Sequence, residues 1–346
     1  TDSIVISAMV GIVENGFYSN YMLLFTTIKN ILNQVFNAIT ASVGNLAAIE
    51  SDERKYEVFN MVYFGSFWMY GFCSVCFWVL VTPFIQLWLG EGRVLSELVV
   101  LFLVLNFYLM GVRHVNNTFR DTMGVFRQGR YIPLIAAIVN IAVSCALAPS
   151  LGVLGVMIGT TVCLVGVLVW LEPIVLFKYG FKRSPALYFA KYIVYLIITA
   201  IACFATKGLC NLVFGSTVNI FTFIGRMIFC IIIPNAFFAL LFHRAKQFKM
   251  LHRKYAQEKI FKGRSPRKMI RFGPSGNSDE FYQEGYKSTF QAMKWVHDKG
   301  LTAYEYSFGR GVRMGEQSAA QIREEARKYD VVLSAHAPFF INLATD

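Results

Sequence analysis

The sequence changes solvent near residue 265. Residues 3–242 form a succession of long apolar runs, whereas residues 271–346 alternate short strand-like runs with charged amphipathic stretches. A run of about 20 apolar residues crosses about 30 Å of hydrocarbon as a helix, and such a helix satisfies its own backbone hydrogen bonds there. Residues 132–177 are long enough to cross twice, and Glu172 is their only formal charge. Over the whole chain 16% of residues are charged, against about 25% in an ordinary globular protein. The expected fold is therefore an all-α polytopic membrane bundle followed by a separate α/β segment.

Apolar runs at 3–13, 17–48, 61–89, 98–119, 132–148, 151–177, 187–205 and 218–242 predict about seven to eight transmembrane helices, the first of them cut short. The second run is the least apolar. It carries Lys29, Asn30, Asn33, Gln34 and Asn37, so one of its faces is expected to meet protein or water. The chain begins at Thr1 without a Met, which reads as a cut and not a start.

Charge is unevenly placed. Residues 243–271 hold 11 Lys and Arg against one acid, so +10 of the net +12 lies in that block. Directly after an apolar run, such a block reads first as a cytoplasmic anchor attracted to anionic lipid, and second as a nucleic-acid patch. Lys and Arg also favour alternate connections, at Arg113 to Arg130 and at Lys178 to Arg183, which puts the last connection and everything after it in the cytoplasm. All seven cysteines lie in the apolar part and read as small packing residues, the CxxC of Cys73 and Cys76 included. Gly152, Gly155 and Gly159 stand at helical spacing and allow close helix approach.

Several motifs carry a resemblance. TDSIVISAMVG, YSNYMLLFTTIKNI, ASVGNLAAIESDERKYEVF, PFIQLWLGEG, NFYLMGVRHVNNTFRDTMGVFRQGRYIPLIAAIVNIAVS and LGVLGVMIGTTV occur in that order. Over residues 1–245 the chain resembles the second half of the polysaccharide flippases of the multidrug/oligosaccharidyl-lipid/polysaccharide exporter superfamily. That resemblance implies a multi-pass protein of the bacterial cytoplasmic membrane, with a cytoplasmic tail, that moves undecaprenyl-pyrophosphate-linked sugars by alternating access between two bundles. The first bundle is expected upstream of Thr1 or is missing, and without it the cavity between the two bundles is not expected to form. A lipid pyrophosphate needs cations facing an aqueous cavity. Lys29, Arg113, Arg120, Lys191 and Arg226 lie within or beside apolar runs, and Lys29, Arg120 and Arg226 are the favoured substrate-binding residues. Bland readings stand beside four of them: Lys191, like Lys207, snorkelling to head groups, Arg113 and Arg120 as positive-inside residues, and Arg226 reaching the outer interface. Asp2 is either a coupling residue or an ordinary helix-end charge.

Beyond residue 268 the pattern is strand, helix, strand, helix, strand: MIRFG, EGYKSTFQAMKWVHDKG, AYEYSF, EQSAAQIREEARKYD and VVLSAHA. This predicts the opening of a parallel TIM-barrel-like segment, truncated after three of eight strands, whose chemistry belongs at strand C-terminal ends. FGPSGNSDEFYQEGYKST and SAHAPFFINLAT resemble the endonuclease IV family of zinc-dependent apurinic/apyrimidinic endonucleases. The resemblance implies zinc at His336, insertion of Phe339 and Phe340 into DNA at the abasic site, and DNA contact by Arg310. Zinc lowers the pKa of a bound water and steadies charge on the scissile phosphate. One His holds no cluster, so zinc and DNA are expected only where the barrel is completed. The domain reading is a flippase-like half at 1–243, a basic linker at 244–267 and a barrel start at 268–346. Met269 opens the first strand, so two adjoining reading frames joined by a lost stop, frameshift or assembly error are the expected origin, in preference to a selected fusion. Three functions compete: a flippase, an apurinic/apyrimidinic endonuclease, and a membrane-tethered DNA-binding protein. Against the third stand the 8 cations and 10 acids of residues 272–346.

Overall fold

The computed structural model describes residues 2–49, 51–245, 248, 271–307 and 314–336; for 37–49 and His336 it describes the backbone alone. The chain divides into two compact units, Thr1–Ala256 and Gln257–Asp346.

Eight helices make up the first unit among the described residues: α1 (Asp2–Met9), α2 (Ile12–Ile49), α3 (Asp52–Leu89), α4 (Glu97–Thr122), α5 (Ile132–Leu151), α6 (Val153–Phe181), α7 (Ala186–Phe214) and α8 (Ile220–Phe242). Their starts follow local chemistry. The Ser51 and Ser96 hydroxyls accept from the Arg54 and Val99 amides at 3.4 Å, and Asn219 and Thr222 form a reciprocal capping box at the start of α8. Six of these helices, α3 to α8, are long and apolar enough to cross a membrane. This corrects the expectation of seven to eight. The eight residues of α1 are too few, and α2, though 38 residues long, has its apolar run broken by Asn15, Asn20 and the Lys29 to Gln34 stretch.

The packing separates centre from rim. In α4 and α6, 61% of the apolar stretch is buried inside the unit, against 22% in α5 and α8. The outward faces of α5, α7 and α8 carry exposed Ile138, Ile141, Ile193, Ile197, Ile228 and Ile231. Apolar surface on that scale is stable only against lipid or another apolar partner. Inside, Phe59, Tyr63, Phe67 and Tyr70 form one buried stripe of α3. The stripe reaches α6 through Phe59 against Phe177, with centroids 5.5 Å apart, and α7 through Phe67 stacked on Tyr195 at 4.2 Å. The α6 span contains two π-helical stretches, at Leu164–Leu168 and Leu176–Phe181, with Pro173 between them. Proline removes a backbone donor, and a widened turn is one way a helix absorbs that loss.

The second unit contains α9 (Asp279–Gln283), α10 (Thr289–Asp298), β1 (Ala303–Ser307), α11 (Glu316–Lys328) and β2 (Val332–His336). The strands pair in parallel, from Ala303 with Val332 to Ser307 with His336. Parallel neighbours need a crossover, and α11 supplies it. Met293 and Val296 of α10, Ile322 and Ala326 of α11, and Tyr304 of β1 share one small core with Phe281. The expected first strand is corrected: residues 271–274 form no strand. The segment nevertheless runs beside β1, with Thr302 N–H donating to Phe272 O (2.9 Å), Glu305 N–H to Pro274 O (3.0 Å) and Gly276 N–H to Glu305 O (2.8 Å). Pro274 brings no N–H to that ladder, which shortens it to one isolated bridge at Ser275. Among the described residues this unit therefore holds a two-stranded parallel sheet and no barrel.

Candidate substrate cavity in the helical unit

A cavity of about 400 Å3 opens among α1, α2, α3, α4 and α6. From α2 it is lined by Tyr18, Thr26, Lys29 and Asn33, one to two turns apart on the helix face that the polar residues of that run had marked. Asn106, Arg113, His114 and Asn117 line it from α4, Thr160 from α6 and Asp2 from α1. The apolar part of the wall includes Phe25, Phe107 and Met157. Such a mixture suits a ligand with a charged head and hydroxyl groups.

Its charges are unequally free. Arg113 is held by Glu172 through two hydrogen bonds, one from Nε and one from Nη2, the latter 2.8 Å long. Glu172 is 2% exposed and also has Arg120 Nη1 at 3.7 Å; Arg120 pairs in turn with Asp121 at 3.2 Å. A carboxylate so buried in an apolar helix requires such partners. The Asp2 carboxylate accepts from Thr160 Oγ1 (3.1 Å), which accepts from Asn140 Nδ2 (2.9 Å), so α1, α5 and α6 are tied together at the cavity wall. Lys29 has no carboxylate and no hydrogen-bond acceptor among the described residues, which leaves its ammonium for a ligand or water. His114 Nε2 and Asn117 Oδ1 are buried without partners among the described residues and line the same wall. Neutral amides and an imidazole in that position can exchange hydrogen bonds with sugar hydroxyls.

Of Lys29, Arg120 and Arg226, the structure puts only Lys29 on this cavity. Arg120 sits in the ion-pair cluster around Glu172. Arg226 lies in a second pocket where α3 and α7 end and α8 begins, and Lys191 Nζ donates to Asn60 Oδ1 at 2.6 Å. The residues that sequence reasoning passed over are His114, Asn117 and Thr160. Their signal was faint, because a single polar residue in an apolar run reads as packing until the neighbouring helices are known. In the second unit His336 ends β2, while Arg310, Phe339 and Phe340 lie outside the described residues. Among the described residues no three His, Cys, Asp or Glu side chains converge as a metal site would require.

Comparison with known proteins finds no family model, no curated protein and no solved structure that matches this chain.

Proposed function

We propose that the helical unit translocates undecaprenyl-pyrophosphate-linked saccharide units across the bacterial cytoplasmic membrane, in the manner of the polysaccharide flippases its motifs resemble. The observation that carries this reading is the Lys29 ammonium, without an acceptor among the described residues, on a cavity whose other walls include α3, α4 and α6, three helices of membrane-crossing length and hydropathy. Pyrophosphate is a ligand group that such a cation suits, through charge-assisted hydrogen bonds. His114, Asn117, Asn33 and Thr160 are then donors and acceptors for the sugar, and Arg113, fixed by Glu172, shapes the wall. The basic block of residues 243–271 favours a cytoplasmic tail.

The test is translocation of a fluorescent undecaprenyl-pyrophosphate-linked saccharide by the full chain in proteoliposomes. Lys29→Gln is expected to slow it about tenfold, the loss of one charge-assisted contact. No translocation and no binding by the unaltered, folded chain contradicts the proposal.

One observation favours a second reading for the second unit. Parallel β1 and α11 lead into a strand that ends at His336, and barrel enzymes keep their chemistry at strand C-terminal ends. On this reading the unit belongs to a zinc-dependent apurinic/apyrimidinic endonuclease, with Arg310, Phe339 and Phe340 meeting DNA. Chelator-sensitive cleavage of abasic DNA by a zinc-supplied, longer form in which the barrel is completed, lost in its His336→Ala variant, supports it; equal cleavage by that variant sinks it.

A further inference from the structure

The pocket around Arg226 is separate from the cavity described above. Its volume is about 500 Å3, and it is bounded by the last turns of α3 and α7, the approach to α4 and the first turns of α8. Arg226 is 5% exposed. Its Nη2 donates to Gly215 O at 2.7 Å, its Nη1 to Asn211 Oδ1 at 3.4 Å, and its Nε–H is buried with no acceptor among the described residues. Both acceptors are neutral, and among the described residues no carboxylate pairs with this guanidinium. Lys207 lines the same pocket, 2.5 Å from Glu97 Oε1 and 3.8 Å from the Trp78 ring centroid. The lining therefore holds two cations and one carboxylate, and the Glu97 side chain is 71% exposed.

A buried charge without a counter-ion is costly, and a guanidinium with unused N–H groups fits the oxygens of a phosphate. The surroundings say what carries that phosphate. Trp88, Leu212, Ile220 and Phe221, at or near the helix ends that bound the pocket, are 49%, 82%, 56% and 81% exposed. In a bundle that crosses a bilayer, tryptophan and aliphatic residues at helix ends lie where head groups meet acyl chains. A free phosphate uses only the cations, whereas a phospholipid uses both the cations and the apolar rim. We propose that this pocket binds the phosphate of an anionic membrane phospholipid, with Arg226 as its principal contact and Lys207 as a second. The inference rests on the bilayer setting of these helices and is independent of saccharide transport.

Native mass spectrometry of the detergent-purified full chain, with phosphatidylglycerol or phosphatidylcholine added, tests it. The expected result is one phosphatidylglycerol retained under conditions that strip phosphatidylcholine. Retention falls about tenfold in Arg226→Gln, less in Lys207→Gln, and not at all in Lys191→Gln. Should Arg226→Gln fail to fold, Lys207→Gln and Arg226→Lys carry the comparison, each expected to weaken retention. Equal retention of the two lipids overturns the proposal, as does undiminished phosphatidylglycerol in the folded variants. Displacement of the lipid by inorganic phosphate assigns the pocket to free phosphate and overturns it too.

Discussion

Glu172 sits 2% exposed in a helix whose neighbours are apolar, where Arg113 meets it with two hydrogen bonds and Arg120 stands 3.7 Å away. Removing one member of a buried pair leaves the other charge stranded. Glu172→Gln should therefore lower the unfolding free energy in detergent by about 3 kcal/mol, while Arg113→Gln with Glu172→Gln recovers part of that loss. A thermal unfolding series checks this, and a neutral Glu172→Gln contradicts it. In the second unit the Lys299 ammonium, helped by Trp295 Nε1–H, holds the Glu284 carboxyl below its usual range, and Glu280 with Glu284 pushes Lys299 up. A depressed folded pKa means stability that is present above the unfolded value of about 4.3 and is lost as pH falls through the folded one. Hydrogen exchange of residues 280–299 in the full chain should quicken below about pH 4.3, and Glu284→Gln should flatten that dependence. Unchanged pH dependence in the variant contradicts the assignment. At this scale the sequence was half legible. Glu172 stood out as the one charge of residues 132–177, but its partners are 59 and 52 residues away, and only the packing of α4 on α6 joins them.

Helix α6 lies against α5 through glycine. A Cβ on Gly155 would stand 2.5 Å from Leu147 O, and one on Gly159 would stand 2.8 Å from Ser144 N, both backbone atoms of α5. Side chains cannot yield there, so the helices themselves must part. Gly155→Ala or Gly159→Ala should destabilise the helical unit by about 1 to 3 kcal/mol. Gly208→Ala in α7, where nothing stands within 4 Å, should not lower stability at all. Equal melting of all three variants would remove close packing as the role of these glycines. The spacing of Gly155 and Gly159 showed this contact in advance, as the apolar runs showed α3 to α8, whereas Gly152, grouped with them in the sequence, joins α5 to α6 at φ 60° and makes no such contact. The rest was hidden for physical reasons. Pro274 breaks a strand-like run by withholding a donor, the π-helical turns of α6 have no periodic signature, and the polar positions of α2 only acquire a face once α1, α3 and α4 surround them.

Two units of opposite solvent preference share the molecule, one with six helices suited to a bilayer and one with a small α/β core. The proposal that they descend from adjoining reading frames predicts that antibodies raised near Lys182 and near Lys328 detect separate membrane and soluble bands in native cells. One membrane band recognised by both contradicts it. Within the helical unit the central residue is Lys29, whose ammonium has no acceptor among the described residues, on a cavity where Asp2 accepts from Thr160 and Arg113 is held by Glu172. The decisive measurement is translocation of an undecaprenyl-pyrophosphate-linked saccharide in proteoliposomes, comparing the full chain with its Lys29→Gln and Lys191→Gln forms. The account predicts transport that falls about tenfold in Lys29→Gln and persists in Lys191→Gln; equal transport by all three, or none by the unaltered chain, would contradict it.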